Sequence, residues 1–69
     1  MNIEDVIKGT RVKVIDDSSG VIPIGSKGTL IQSFDSAPYV SFDEYQEGCF
    51  EAYGYPNVRA MITDELEEI

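Results

Sequence analysis

Gly9-Thr10-Arg11-Val12-Lys13-Val14-Ile15-Asp16 is the stretch whose reading decides the fold class. Arg11 and Lys13 alternate with Val12 and Val14, and a period of two residues marks a strand with one face buried and one face in water. A strand is therefore predicted over residues 11–16. Upstream, Asn2 could cap a single helical turn over residues 3–8, with Glu4 and Asp5 near its positive end, Lys8 near its negative end and Gly9 stopping it. An extended lead-in is the alternative. Downstream, Ser18, Ser19, Gly20, Pro23 and Gly25 mark residues 17–26 as a loop, yet Val21, Ile22 and Ile24 within it need an apolar partner.

The rest of the chain continues in short strands. Thr29, Leu30, Ile31 and Phe34 give residues 28–34 β character, and residues 35–38 turn the chain into a third alternating strand over 39–43. Gly48, Gly54 and Pro56 interrupt residues 44–57, where a long loop or a distorted hairpin is expected. A fourth strand follows over residues 58–62, then a one-turn bend over 63–65 and a last strand over 66–69. The expected core is Val12, Val14, Leu30, Val40, Phe42, Ile62 and Leu66.

Size and charge narrow the function classes. At 69 residues, 42% of them hydrophobic, the chain has room for one domain, residues 1–69, and needs nearly all its apolar side chains to fold. The lone Cys49 cannot close an internal disulfide, which fits a reducing, cytoplasmic setting. The first ten residues lack the pattern of a signal peptide, and no apolar run has the length of a membrane span. Net charge is −8. In residues 1–34 the four cations Lys8, Arg11, Lys13 and Lys27 balance Glu4, Asp5, Asp16 and Asp17, so the whole excess lies in residues 35–69, where Arg59 is the sole cation. Such a chain repels phosphate backbones and anionic lipid, which argues against direct nucleic-acid or membrane binding.

Five short strands, a long first connection and a one-turn bend before the last strand describe a small, strongly bent barrel. Gly9-Thr10-Arg11-Val12-Lys13-Val14-Ile15, Gly25-Ser26-Lys27-Gly28-Thr29-Leu30, Tyr39-Val40-Ser41-Phe42-Asp43 and Thr63-Asp64-Glu65-Leu66-Glu67-Glu68-Ile69 together resemble the SH3-like barrel proteins of bacteria and phages. The resemblance implies an all-β, five-stranded SH3-like barrel and a habit of binding other proteins, not an activity. Two departures stand out: the segment before the fourth strand is longer than the pattern, and Arg59 and Ala60 replace the aromatic often found opening that strand.

Catalytic and metal chemistry finds little footing. There is no histidine, the usual base near neutral pH and the commonest zinc ligand. Residues 20–27 approach a phosphate-binding loop, but Ser26 stands where its lysine belongs and a strand follows where a helix should. Asp16, Ser18 and Gly20 approach a calcium loop, but Val21 replaces its glycine and Lys27 its terminal glutamate. Paired carboxylates such as Asp43 and Glu44 read as a solvated face in so acidic a chain. Cys49 lies between Glu47 and Glu51, which disfavour a thiolate, and reads as a small buried apolar residue. No catalytic, metal or cofactor-binding residue is assigned, and an enzyme is not expected.

The residues left over are aromatic and acidic. Tyr45, Phe50, Tyr53 and Tyr55 stand among Glu47 and Glu51, and a five-stranded core cannot absorb four rings. Exposed tyrosine with an acidic rim is suited to anchoring a protein partner with a basic surface. The competing assignment has Phe50 and one tyrosine sealing an end of the barrel. The expected function is a non-catalytic module that binds a larger protein through these six residues. The alternative is an inhibitor or acidic nucleic-acid mimic of the phage type, filling a basic groove on a host protein.

Overall fold

The computed structural model describes residues 7–32, 37–44 and 46–69. Its architecture is all-β: β1 (Arg11–Val14), β2 (Lys27–Gln32), β3 (Tyr39–Phe42), β4 (Phe50–Ala52), β5 (Tyr55–Ala60) and β6 (Leu66–Glu68), with a 3-10 turn at Thr63–Glu65. They form one antiparallel sheet in the order β4-β5-β3-β2-β1-β6. β4 and β6 are its edges, so the sheet is not closed into a barrel. Six strands stand among the described residues where five were expected, because within the stretch read as a long loop or distorted hairpin Phe50–Ala52 forms a strand that pairs with β5 (Tyr55–Ala60). The helical turn considered at residues 3–8 falls largely outside the described residues.

Alternation does its expected work in the first strands. Val12 and Val14 point to one face, and register places Val12 across from Gly28 and Gly28 across from Phe42. Gly28 is required there: a Cβ would lie 2.6 Å from Val40 Cγ1 and 2.7 Å from the Ser41 carbonyl oxygen, so only glycine lets β2 and β3 approach this closely. The core on this face comprises Val12, Val14, Ile22, Leu30, Val40, Phe42, Met61 and Leu66. A bulge in β2 inserts Ile31 between the pairs Leu30–Val40 and Gln32–Tyr39, which leaves Leu30 and Ile31 both buried although adjacent.

Ile62 is a correction. It is 45% exposed, and Met61 is buried at 1% in its place. Register explains the swap: β5 lays Arg59 across from Val40 and Val58 across from Ser41, so odd-numbered positions of β5 share the core face and Met61 continues them. Val58, on the other face, is also fully buried.

The long first loop is held by two carboxylates. Asp17 accepts hydrogen bonds from the backbone N–H of Ile22 (2.7 Å) and Val21 (2.9 Å) and from the hydroxyl of Ser19 (2.8 Å). Those bonds seat Ile22 in the core, while Val21 and Ile24 remain exposed, so one of the three loop aliphatics finds the partner that all were expected to need. Burial pushes the Asp17 carboxyl up, but the hydrogen bonds from Ile22, Ser19 and Val21 together outweigh it and hold the group at about 2. Glu65, buried in the 3-10 turn, accepts from Ser18 N–H (2.8 Å) and Ile62 N–H (3.2 Å), and its own carbonyl accepts from Ile15 N–H (2.8 Å). One residue thus ties the loop to the entry of β6.

Candidate functional site

The β4–β5 hairpin positions the aromatic residues. Its turn is Tyr53-Gly54, with φ of 53° and 78°, flanked by the pair Ala52–Tyr55. Two successive positive φ values are the sign pattern of a type I′ turn, whose backbone twist matches that of antiparallel strands. Gly54 meets that demand freely, whereas a tyrosine at φ 53° occupies a region where bulky side chains are rare. Farther along, Phe50 pairs with Val58, so Pro56 and Asn57 together face Glu51. This bulge accommodates Pro56, which has no N–H for a ladder, and puts Asn57 at φ 55°. The Pro56 carbonyl accepts a hydrogen bond from the Ser41 hydroxyl at 2.7 Å, which pins the bulge to β3.

Directly opposed residues share a face, so Phe50, Val58 and Ser41 lie on the side of the sheet away from the core, as do Tyr39 and Ala60. There the rings meet. Tyr39 and Phe50 are T-shaped at 5.9 Å between centroids, and Tyr39 and Tyr53 are tilted at the same separation. Both distances fall within the range of attractive ring pairs. Phe50 is nevertheless 47% exposed, Tyr53 58% and Tyr55 41%, so the cluster is a surface, with the buried Val58 beneath its Phe50 end. Tyr55 shares this face by its pairing with Ala52.

Of the six residues singled out from the sequence, the structure gathers Phe50, Tyr53 and Tyr55 on the hairpin. Glu51 is exposed on β4 between Phe50 and Ala52 and so points to the opposite face. Glu47 is exposed in the turn leading to β4. Tyr45 lies outside the described residues. Tyr39 was missed: it was read only as the start of a strand, although with Val40 and Phe42 inward the same alternation turns Tyr39 outward.

Arg59, the one cation of the C-terminal half, is directed elsewhere. From the core face of β5 it donates to the Ser19 hydroxyl at 3.0 Å, and a Cβ on Gly48 would lie 2.7 Å from its Nη1. It braces the first loop against the turn before β4. Cys49 packs against the core beside it; burial pushes the thiol up, with Arg59 and a backbone hydrogen bond from Gln46 acting in the other direction. Burial, not Glu47 and Glu51, is thus what disfavours the thiolate. Asp43 is held by Arg11 through two bonds of 2.7 and 2.6 Å; the hydrogen bonding to Arg11 lowers its pKa, and Arg11 also donates to Thr29 at 2.9 Å.

Several carboxylates are therefore occupied within the fold: Asp17 in the loop, Asp43 with Arg11 and Glu65 in the 3-10 turn. Glu44, Glu47 and Glu51 remain exposed. Among the described residues, no group of three or more His, Cys, Asp or Glu is placed to hold a metal ion, and no helix is long and apolar enough to cross a membrane. Comparison with family models, with curated proteins and with solved structures finds no match for this chain.

Proposed function

We propose that this protein is a non-catalytic interaction module that binds a larger protein through the aromatic face of the β4–β5 hairpin. The observation that carries the reading is the ring cluster in which a half-buried Tyr39 supports the exposed rings of Phe50 and Tyr53, in a small chain that needs its apolar residues for the core. Rings already packed on one another lose little freedom on binding, so each contributes area at low entropic cost. Glu47, in the turn before β4, and Glu51, on the other face of β4, put negative charge beside the hairpin, which favours a basic partner surface. The SH3-like resemblance, with its habit of protein binding, draws support from the antiparallel sheet and the 3-10 turn leading into β6, though the sheet has six strands and is not closed. Mimicry of nucleic acid draws less support, since Asp17, Asp43 and Glu65 are spent on internal contacts.

The test is binding to a partner isolated by affinity capture, comparing Tyr53→Ala and Phe50→Ala with Glu47→Ala and Glu51→Ala. Each ring variant is expected to lose about 2 kcal/mol or more of binding free energy, and each carboxylate variant mainly to slow association. Normal binding by both ring variants, with steep loss of wild-type affinity in salt, would favour the mimic instead.

A further inference from the structure

Among the described residues β4 pairs with β5 alone, so its other side has no strand partner there for its backbone N–H and C=O groups. Exposed edges are commonly guarded by lysine, proline or an inward charge. Phe50-Glu51-Ala52 has no lysine or proline; its guards are its three-residue length and the charge of Glu51 on the core-side face, which a basic residue of an added strand would neutralise. Phe50 and Ala52 share the aromatic face, and Glu51 points to the other. A strand laid along this edge would meet apolar ring surface at one set of alternate positions and a carboxylate at the other set.

We propose, resting on the reading that this hairpin contacts a protein, that the partner binds as a seventh strand along β4, and that its segment alternates apolar with basic residues. Charge selects this occupant. Residues 43–57 carry four carboxylates and no cation, Asp43 is already held by Arg11, and Arg59, the cation on the same face of β5, is turned to Ser19 and Gly48, so the charge around Glu51 favours a Lys or Arg. A second copy of this chain is the wrong occupant. Two-fold antiparallel pairing of β4 centred on Glu51 sets that carboxylate opposite its own equivalent, and each copy carries a net charge of −8. Backbone pairing would supply the attraction and the alternation its register, as in other strand-addition complexes.

The probe is a capped six-residue peptide alternating Lys and Val, titrated into the isotopically labelled full chain and followed by NMR. Saturable shifts at the amides of Phe50–Ala52 are expected, with binding at least about 10-fold weaker for a peptide of the same composition with its lysines in one block. N-methylation of alternate peptide amides separates backbone pairing from side-chain attraction. Of the two possible methylated sets, the one on the edge facing β4 abolishes binding. The proposal is overturned if both methylated peptides bind like the parent, if the shifts map to the β6 edge at Leu66–Glu68, or if the alternating peptide does not bind. Should the ring variants lose the captured partner while the alternating peptide fails to bind, the module reading stands and strand addition falls.

Discussion

Replacing Tyr53 by Asn separates what this residue does for the hairpin from what it does for a partner. At φ 53° beside Gly54, the position favours Asn, whose short polar side chain tolerates the left-handed region. A bulky residue held there costs about 1 kcal/mol, most of which Asn recovers. Against this stands the tilted contact with Tyr39 at 5.9 Å; a well-formed ring pair contributes about 0.5–1.5 kcal/mol, and with Tyr53 58% exposed the lower end applies. The balance is a gain of up to about 0.5 kcal/mol, or a rise in Tm of about 2–4 °C for a domain of this size. Urea unfolding of the two proteins, with m unchanged, reads the difference directly. A loss of more than about 1 kcal/mol would refute the reasoning, because the ring would then be part of the fold and not kept for an external contact.

Three further outcomes follow from the packing. Gly28→Ala should lower stability by about 1–3 kcal/mol in the same urea assay, since its Cβ meets Val40 and the Ser41 carbonyl, with backbone on one side unable to yield cheaply. Glu65→Ala leaves the Ser18 and Ile62 N–H groups without their acceptor and should cost about 3 kcal/mol; Glu65→Gln, which keeps one carbonyl oxygen, should cost about half as much. The Asp17 carboxyl is lowered in the folded chain to about 2 from 3.8, so its contribution to stability is present above pH 3.8 and lost as pH falls toward 2. The difference in Tm between the wild type and Asp17→Ala should therefore be full at pH 6 and shrink across that window; a difference that does not change with pH would contradict the assignment.

How far the sequence could be read depended on local period. Val12, Val14, Val40 and Phe42 alternate within short strands, and alternation alone assigned their face. Ile62 failed because face in β5 depends on pairing with β3, a long-range register that no local pattern carries. The Phe50–Ala52 strand is three residues long and separated from β5 by a tyrosine turn and a bulge, so neither length nor an Asn-Gly signal announced it. The candidate face was legible as a surplus of rings that the core could not hold. Tyr39 was hidden because it belongs to a recognisable strand, and its contact with Phe50 spans β5. Asp17 and Glu65 were not singled out in the sequence because most of their hydrogen-bond partners are backbone groups, which composition does not reveal.

The central claim is that the face carrying Tyr39, Phe50 and Tyr53 is where a partner docks. The most direct measurement is NMR of the labelled chain with and without the captured partner, following backbone amides and tyrosine and phenylalanine ring signals together. The account predicts the largest changes at Tyr39, Phe50–Ala52 and Tyr53, with the loop around Val21 and Ile24 and the β6 strand little affected. Changes confined to that loop or to β6, with the ring signals unmoved, would contradict it.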